Sequence, residues 1–92
     1  MKNITNEVVI VAAARTPIGS YNGSLKSIKA DQLGSIVINE LINRTNFKKE
    51  DVDEVIFGQV LTARAGQNPA RQAAVNANIP TSKPAYIVNQ VC

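Results

Sequence analysis

The only cysteine of the chain, Cys92, follows the segment AYIVNQV, residues 85–91. A cysteine thiolate is a strong nucleophile, and the pKa of a thiol falls at the start of a helix, where backbone N–H groups and the helix dipole favour the charged form. A nucleophile here would also need a base or a cationic partner. That partner cannot be a histidine of this sequence, because its 92 residues contain none.

Cys92 can also be interpreted as an inert packing residue. Lone cysteines often behave as small buried hydrophobes, and composition alone favours that role. Position argues the other way, because ligands of open α/β sheets bind beyond the carboxyl ends of the strands, and Cys92 follows an apolar segment typical of a strand. From the residues alone, both interpretations stay open.

Two other polar segments, residues 15–23 and 62–72, also follow predicted strands. The run Gly-Ser-Tyr-Asn-Gly at 19–23 matches neither common glycine-rich phosphate-binding pattern, so a flexible connection is the simpler interpretation. Arg64 and Arg71 flank a Gly-Gln-Asn-Pro segment and could bind an anionic ligand. Such arginines more often tie down a loop or pair across an interface.

Composition excludes several classes of function. With 45% apolar and 18% charged residues, the 92-residue chain has the size and content of one small domain. One cysteine and no histidine rule out a disulfide framework and provide no zinc-type ligand set, so no metal site is expected. The net charge of +3 is dispersed, which argues against nucleic acid as a partner. The apolar run near the N-terminus is too short to span a bilayer, so a cytoplasmic protein without a membrane partner is expected.

Hydrophobic patterning predicts three strands and two helices. Continuous apolar runs predict buried strands at Glu7–Ala14, Glu54–Leu61 and Ala85–Val91. Three- and four-residue spacing of apolar residues predicts a helix from Ala30 to Arg44, in which Gly34 suggests close packing against another element. Asn68 followed by Pro69 predicts the start of a short helix that ends near Ala77.

This order of elements predicts an α/β fold with βαβαβ topology and a parallel sheet joined by right-handed crossovers. The third strand has nothing after it to cover it, and sheets of this kind normally continue into another helix. Residues 1–92 are therefore expected to form one domain that is not complete.

Four motifs, taken together and in order, resemble the N-terminal segment of thiolases. They are VVIVAAARTPIGSYNGSL, DVDEVIFGQVL, GQNPARQAA and NQVC, and the similarity runs over essentially the whole chain. The likeness is greatest to the biosynthetic thiolases that act as acetyl-CoA acetyltransferases. The resemblance implies a thiolase-like fold, with a layered parallel or mixed sheet of which this chain holds the opening βαβαβ part.

The resemblance also implies roles for individual residues. Cys92 corresponds to the nucleophile that takes the acyl group from coenzyme A as a thioester. Gln67 and Asn68 correspond to a loop at the dimer interface that reaches toward the partner's active site, and Arg71 accompanies them, so these three are expected to be interface or supporting residues. The histidines, second cysteine and asparagine of the thiolase site would lie outside this sequence.

The activity implied is acetyl-CoA C-acetyltransferase: a reversible Claisen condensation of two acetyl-CoA to acetoacetyl-CoA and coenzyme A. Coenzyme A thioesters would be substrates, no resident cofactor is expected, and the protein would form a homodimer or homotetramer. A degradative 3-ketoacyl-CoA thiolase and a non-catalytic interaction module are the alternatives. The 92 residues alone are expected to be inactive, because Cys92 would lack its base and oxyanion hole.

Overall fold

The computed structural model describes residues 6–91, in which two helices pack on one face of a small parallel sheet. In chain order the elements are α1 (Ala30–Arg44), a 3₁₀ turn (Lys49–Asp51), β1 (Val55–Gly58), α2 (Pro69–Asn76) and β2 (Ala85–Val88). Strands β1 and β2 are hydrogen-bonded neighbours and run parallel, with Val55 opposite Ala85 and Gly58 opposite Val88. The predicted parallel pairing is therefore confirmed for these two strands.

Helix α1 has the bounds that its periodicity predicts. At its start the Lys29 backbone N–H donates to the Gln32 side-chain oxygen at 2.9 Å, which satisfies one of the donors that a helix leaves unpaired. Asp31 in the first turn and Arg44 in the last complement the helix dipole. The side chain of Ile38 is buried and contributes to the core.

Asparagine residues flank helix α2 at both ends. Asn68 is the N-cap and Pro69 the first helical residue, as predicted. At the other end Asn78 adopts a left-handed backbone with φ of 62°. The Asn78 N–H then donates to Val75 O and the Ile79 N–H to Ala74 O, each at 2.9 Å, which is the hydrogen-bond pattern of a Schellman motif.

The core lies where the two helices meet the sheet, and most of its residues are small. The close approach explains Gly34 of α1: a Cβ there would lie 2.5 Å from the Phe57 ring and 3.0 Å from Ala73. The prediction that Gly34 marks a close contact is therefore confirmed. The buried cluster comprises Ile38, Val55, Ala73, Ala74, Ala77 and Ile79, with Val52, Phe57 and Ala85 packed against it.

The first predicted strand is not present in the structure. No strand forms over Glu7–Ala14, and the side chains of Val8 and Ile10 are 102% and 90% exposed. A buried strand of a parallel sheet needs a neighbouring strand to pair with and other elements that cover both of its faces. Both helices instead pack on each other and on the β1–β2 side of the molecule. The segment is held at Ala13, whose carbonyl accepts from Arg44 at 2.6 Å.

The two observed strands are also shorter than predicted, because pairing stops at Gly58 and Val88 while the apolar runs continue. Along both strands, burial alternates. Val55 and Phe57 face the helices, whereas Ile56, Tyr86 and Val88 lie on the opposite, exposed face. None of the helices in residues 6–91 is both long and apolar enough to cross a membrane.

Candidate functional site

The carboxyl ends of β1 and β2 lie side by side, which is the sheet edge where ligands of parallel sheets bind. The Gln59 N–H donates to the Val88 carbonyl at 3.0 Å, so the backbone segments of β1 and β2 are still hydrogen-bonded at the residue after Gly58. Residues 89–91 leave this edge as an exposed segment. Cys92, the predicted nucleophile, lies outside the described residues.

A shallow depression of about 260 Å³ adjoins the end of β1. Gly58 and Gln59 line it together with Thr16, which follows the N-terminal apolar segment, and with Gly34 of α1. The loop after that segment therefore reaches the same edge as the end of β1, although the segment itself is not a strand.

Asn68 links the first turn of α2 to β2. Its backbone is left-handed, with φ of 41° and ψ of 75°, a conformation that asparagine tolerates better than most residues. Its side-chain oxygen accepts from the Arg71 N–H at 3.2 Å, while its side-chain Nδ2 donates to the Ala85 carbonyl at 2.9 Å. One side chain thus caps the helix and fixes the start of the strand.

Arg71 ties the connection before β2 to the same helix. Its two terminal nitrogens donate to separate backbone carbonyls, to Lys83 O at 2.9 Å and to Thr81 O at 2.8 Å. A planar guanidinium is suited to such a two-pronged contact. Of the roles left open for this arginine, the described structure shows the tying of a loop.

The sequence did not predict which end of β2 Asn68 and Arg71 contact. Asn68 and Arg71 contact the amino end of β2, whereas Cys92 follows its carboxyl end. From Ala85 to Val88 the strand spans about 10 Å. The structure therefore brings Asn68 and Arg71 together, but at the opposite end of β2 from the carboxyl edge. Gln67, the third residue of the set, is exposed.

Gln72 is a residue of this region that the sequence did not reveal. Its side-chain nitrogen donates to the Gln67 carbonyl at 2.6 Å and to the Ala65 carbonyl at 3.2 Å. The only available signal was a polar side chain among the buried alanines of α2, Ala70, Ala73 and Ala74. Three polar residues at the start of α2, Asn68, Arg71 and Gln72, therefore donate hydrogen bonds to chain segments before and after the helix.

The remaining candidates form ordinary loop structure. In the 19–23 run, the Gly23 N–H donates to Ser20 O at 2.9 Å and Asn22 has φ of 57°, which is a tight turn. Arg64 is exposed and has a left-handed backbone with φ of 61°. Across residues 6–91, no three acidic side chains gather closely enough to hold a metal ion.

Comparison with known proteins places these features in a family. Residues 8–92 match the family model described as thiolase, N-terminal domain. An acetyl-CoA acetyltransferase of Cupriavidus necator is 55% identical over 94% of this chain and 22% of its own length. A mouse protein named cytosolic acetyl-CoA acetyltransferase is 51% identical over 96% of this chain and 22% of its own length.

A solved structure shares the fold. It is a crystal structure of a thiolase from Ascaris suum in complex with coenzyme A, with a TM-score of 0.81 and 41% sequence identity. The match covers 85% of this chain and 20% of that one. The chain thus spans about a fifth of the length of the relatives that it matches.

Proposed function

Because this chain belongs to the thiolase family, of which it carries part of the N-terminal domain, we propose that it contributes the acyl-accepting segment of an acetyl-CoA C-acetyltransferase. The observation that carries this proposal is the continuous match over residues 8–92, with relatives of that name 51–55% identical. Residues 1–92 are then the N-terminal part of the first domain, and the rest of that domain and of the protein lies elsewhere.

In the proposed reaction, Cys92 is the nucleophile. Its thiolate attacks the carbonyl carbon of acetyl-CoA, the bond from that carbon to the coenzyme A sulfur breaks, and coenzyme A leaves as a thiolate that takes up a proton. The acetyl group remains on Cys92 as a thioester. A second acetyl-CoA, deprotonated at its α carbon, attacks this thioester and restores the Cys92 thiolate while acetoacetyl-CoA forms. Two half-reactions of this kind give ping-pong kinetics.

The described residues would support this chemistry by positioning. Asn68 and Arg71 hold the start of β2 through three backbone carbonyls, those of Thr81, Lys83 and Ala85. In the sequence Cys92 follows the end of β2 by four residues, so a fixed start of the strand would favour a fixed position for the thiol. Misplacement of a reacting group by 1 Å can cost about a hundredfold in rate.

Substrates, partners and compartment follow from the same proposal. Coenzyme A thioesters are the substrates, and no resident cofactor is involved. Gln67, which is exposed, contributes to an interface with a second copy of the chain in a homodimer or homotetramer. The protein works in the cytoplasm, as the name of the mouse relative says of that protein.

The test is a thiolase assay on the full-length protein that carries this segment, in both reaction directions. The proposal predicts acetoacetyl-CoA synthesis from acetyl-CoA with ping-pong kinetics, and loss of synthesis in Cys92→Ala. Cleavage of long-chain 3-ketoacyl-CoA with no acetoacetyl-CoA synthesis would indicate a degradative thiolase instead. Absence of both activities in a folded protein would leave only a scaffold role.

A further inference from the structure

The connection between β1 and α2 contains a loop, residues 62–67, whose backbone adopts unusual conformations. Arg64 and Gly66 both lie in the left-handed region, with φ of 61° and 78°. Glycine adopts this region freely, whereas arginine does so at an energetic cost that the surrounding structure must offset. A turn with the Ala65 N–H donating to Thr62 O at 3.0 Å begins the loop.

The Gln72 side chain is the contact that holds the end of this loop. Its amide nitrogen carries two hydrogens and has two acceptors, Gln67 O at 2.6 Å and Ala65 O at 3.2 Å. Gln72 projects from α2, whose alanines Ala73 and Ala74 are buried in the core, so the loop is fastened to a well-packed element. Gly66 makes the approach possible, because a Cβ there would lie 2.7 Å from that nitrogen.

We propose that Gln72 is a positioning residue, which holds the 62–67 loop in the conformation that presents the exposed Gln67 side chain to a second copy of this chain. The inference rests on the proposed function for the role of Gln67 at an interface. It goes further in assigning the conformation of the 62–67 loop to one side chain of α2. Without that side chain, the left-handed backbone of Arg64 would relax and the carbonyl of Gln67 would turn away.

Three substitutions of Gln72 separate shape from hydrogen bonding. Gln72→Met keeps the length of the side chain without a donor, Gln72→Glu places a carboxylate against two carbonyl oxygens, and Gln72→Lys retains a donor. Hydrogen exchange of the 62–67 loop, measured in the full-length protein, reports whether the loop keeps its conformation, because the Ala65 N–H donates to Thr62 O within it; residues 20–28 are the internal reference. We expect exchange to rise about tenfold in Gln72→Met, more in Gln72→Glu and least in Gln72→Lys, because one to two hydrogen bonds are lost.

Gly66→Ala tests the same contact from the other side. Its Cβ would displace the Gln72 amide, so adding Gln72→Met to Gly66→Ala should cause little further increase in exchange. Independent, multiplicative effects of the two changes would contradict a shared contact. Unchanged exchange in both Gln72→Met and Gln72→Glu would overturn the proposal outright.

Self-association and kinetics test the consequence for function. Sedimentation velocity should show a weaker dimer for Gln72→Glu than for the parent protein, with rescue by Gln72→Lys. Acetoacetyl-CoA synthesis should lose kcat in the same order. Faster loop exchange with unchanged association and kcat would refute the positioning role. If the parent protein has no thiolase activity, the proposed function fails, but exchange and self-association still decide the role of Gln72.

Discussion

Asn68 shows how one residue can serve two neighbouring elements. Its left-handed backbone, with φ of 41°, lets the side chain cap α2 through the Arg71 N–H while the amide group reaches Ala85 of β2. The pair Asn-Pro in the sequence predicted the cap. The bond to Ala85 could not be predicted, because it depends on where the chain returns seventeen residues later.

Replacement of Asn68 should separate its hydrogen bonds from its backbone conformation. We expect Asn68→Ala to lower the free energy of unfolding by about 2 kcal/mol, since the cap and the bond to Ala85 are both lost. Asn68→Gly should lose less, because glycine adopts a positive φ without strain. Urea unfolding of the full-length protein measures both.

Asn78→Gly is the matched control, because Asn78 is the left-handed residue at the other end of α2, with φ of 62°. It should change the free energy of unfolding by less than about 0.5 kcal/mol, since glycine is the preferred residue there. An Asn68→Ala variant as stable as Asn68→Gly would count against the role given to the left-handed backbone.

Arg71 offers a second test at the level of single residues. Lysine carries a compact charge and cannot reproduce the two-pronged contact with Thr81 O and Lys83 O. Arg71→Lys should therefore cost about 1 kcal/mol in thermal or urea unfolding. Arg64→Lys, an exposed change in the preceding loop, serves as the control. Equal stability of the two variants would show that the second prong contributes nothing.

At the scale of elements, sequence patterns predicted the features that depend on neighbouring residues in the sequence. The bounds of α1 follow from apolar spacing, and the start of α2 follows from Asn68 and Pro69, so both helices were predicted correctly. Strands depend on distant partners. The ends of β1 and β2 are set by their pairing, and the predicted strand at Glu7–Ala14 has no neighbouring strand in the described residues. The hydrogen bonds from the Gln72 side chain to the 62–67 loop were missed for a similar reason, because the loop must turn back before its carbonyls face α2.

The contact between α1, α2 and β1 can be tested at Gly34. A Cβ at this position would lie 2.5 Å from the Phe57 ring, so overpacking in Gly34→Ala should cost about 1–3 kcal/mol. The higher helix propensity of alanine offsets about 1 kcal/mol of this cost, so we expect a net loss of stability of up to about 2 kcal/mol. In Gly34→Ala combined with Phe57→Leu, the smaller side chain should make the total loss less than the sum of the two single losses. Strictly additive losses would mean that the two residues do not meet.

At the scale of the whole molecule, the role that we propose for the described residues is to support a reaction centre. They provide a parallel pair of strands, a loop at the carboxyl edge and a helix that fixes the start of β2. This sequence has no histidine, and we expect the base and the oxyanion-hole donors of the proposed reaction to lie outside it. In the proposed mechanism, nucleophilic attack by Cys92 would lose most of its acceleration without them.

The isolated 92-residue chain is therefore expected to have no measurable thiolase activity. The full-length protein, assayed under the same conditions, is the control, and its intact mass should be several times the 9.9 kDa of these residues. Turnover by the isolated chain comparable to that of the full-length protein would contradict the claim that residues outside this sequence are needed for activity.

The most direct test of the central claim is the mass of the peptide that contains Cys92 after brief incubation of the full-length protein with acetyl-CoA. The account predicts one acetyl group on Cys92, which is removed by added coenzyme A and absent in Cys92→Ala. An enzyme that makes acetoacetyl-CoA while Cys92 stays unmodified, or that remains active as Cys92→Ala, would contradict it.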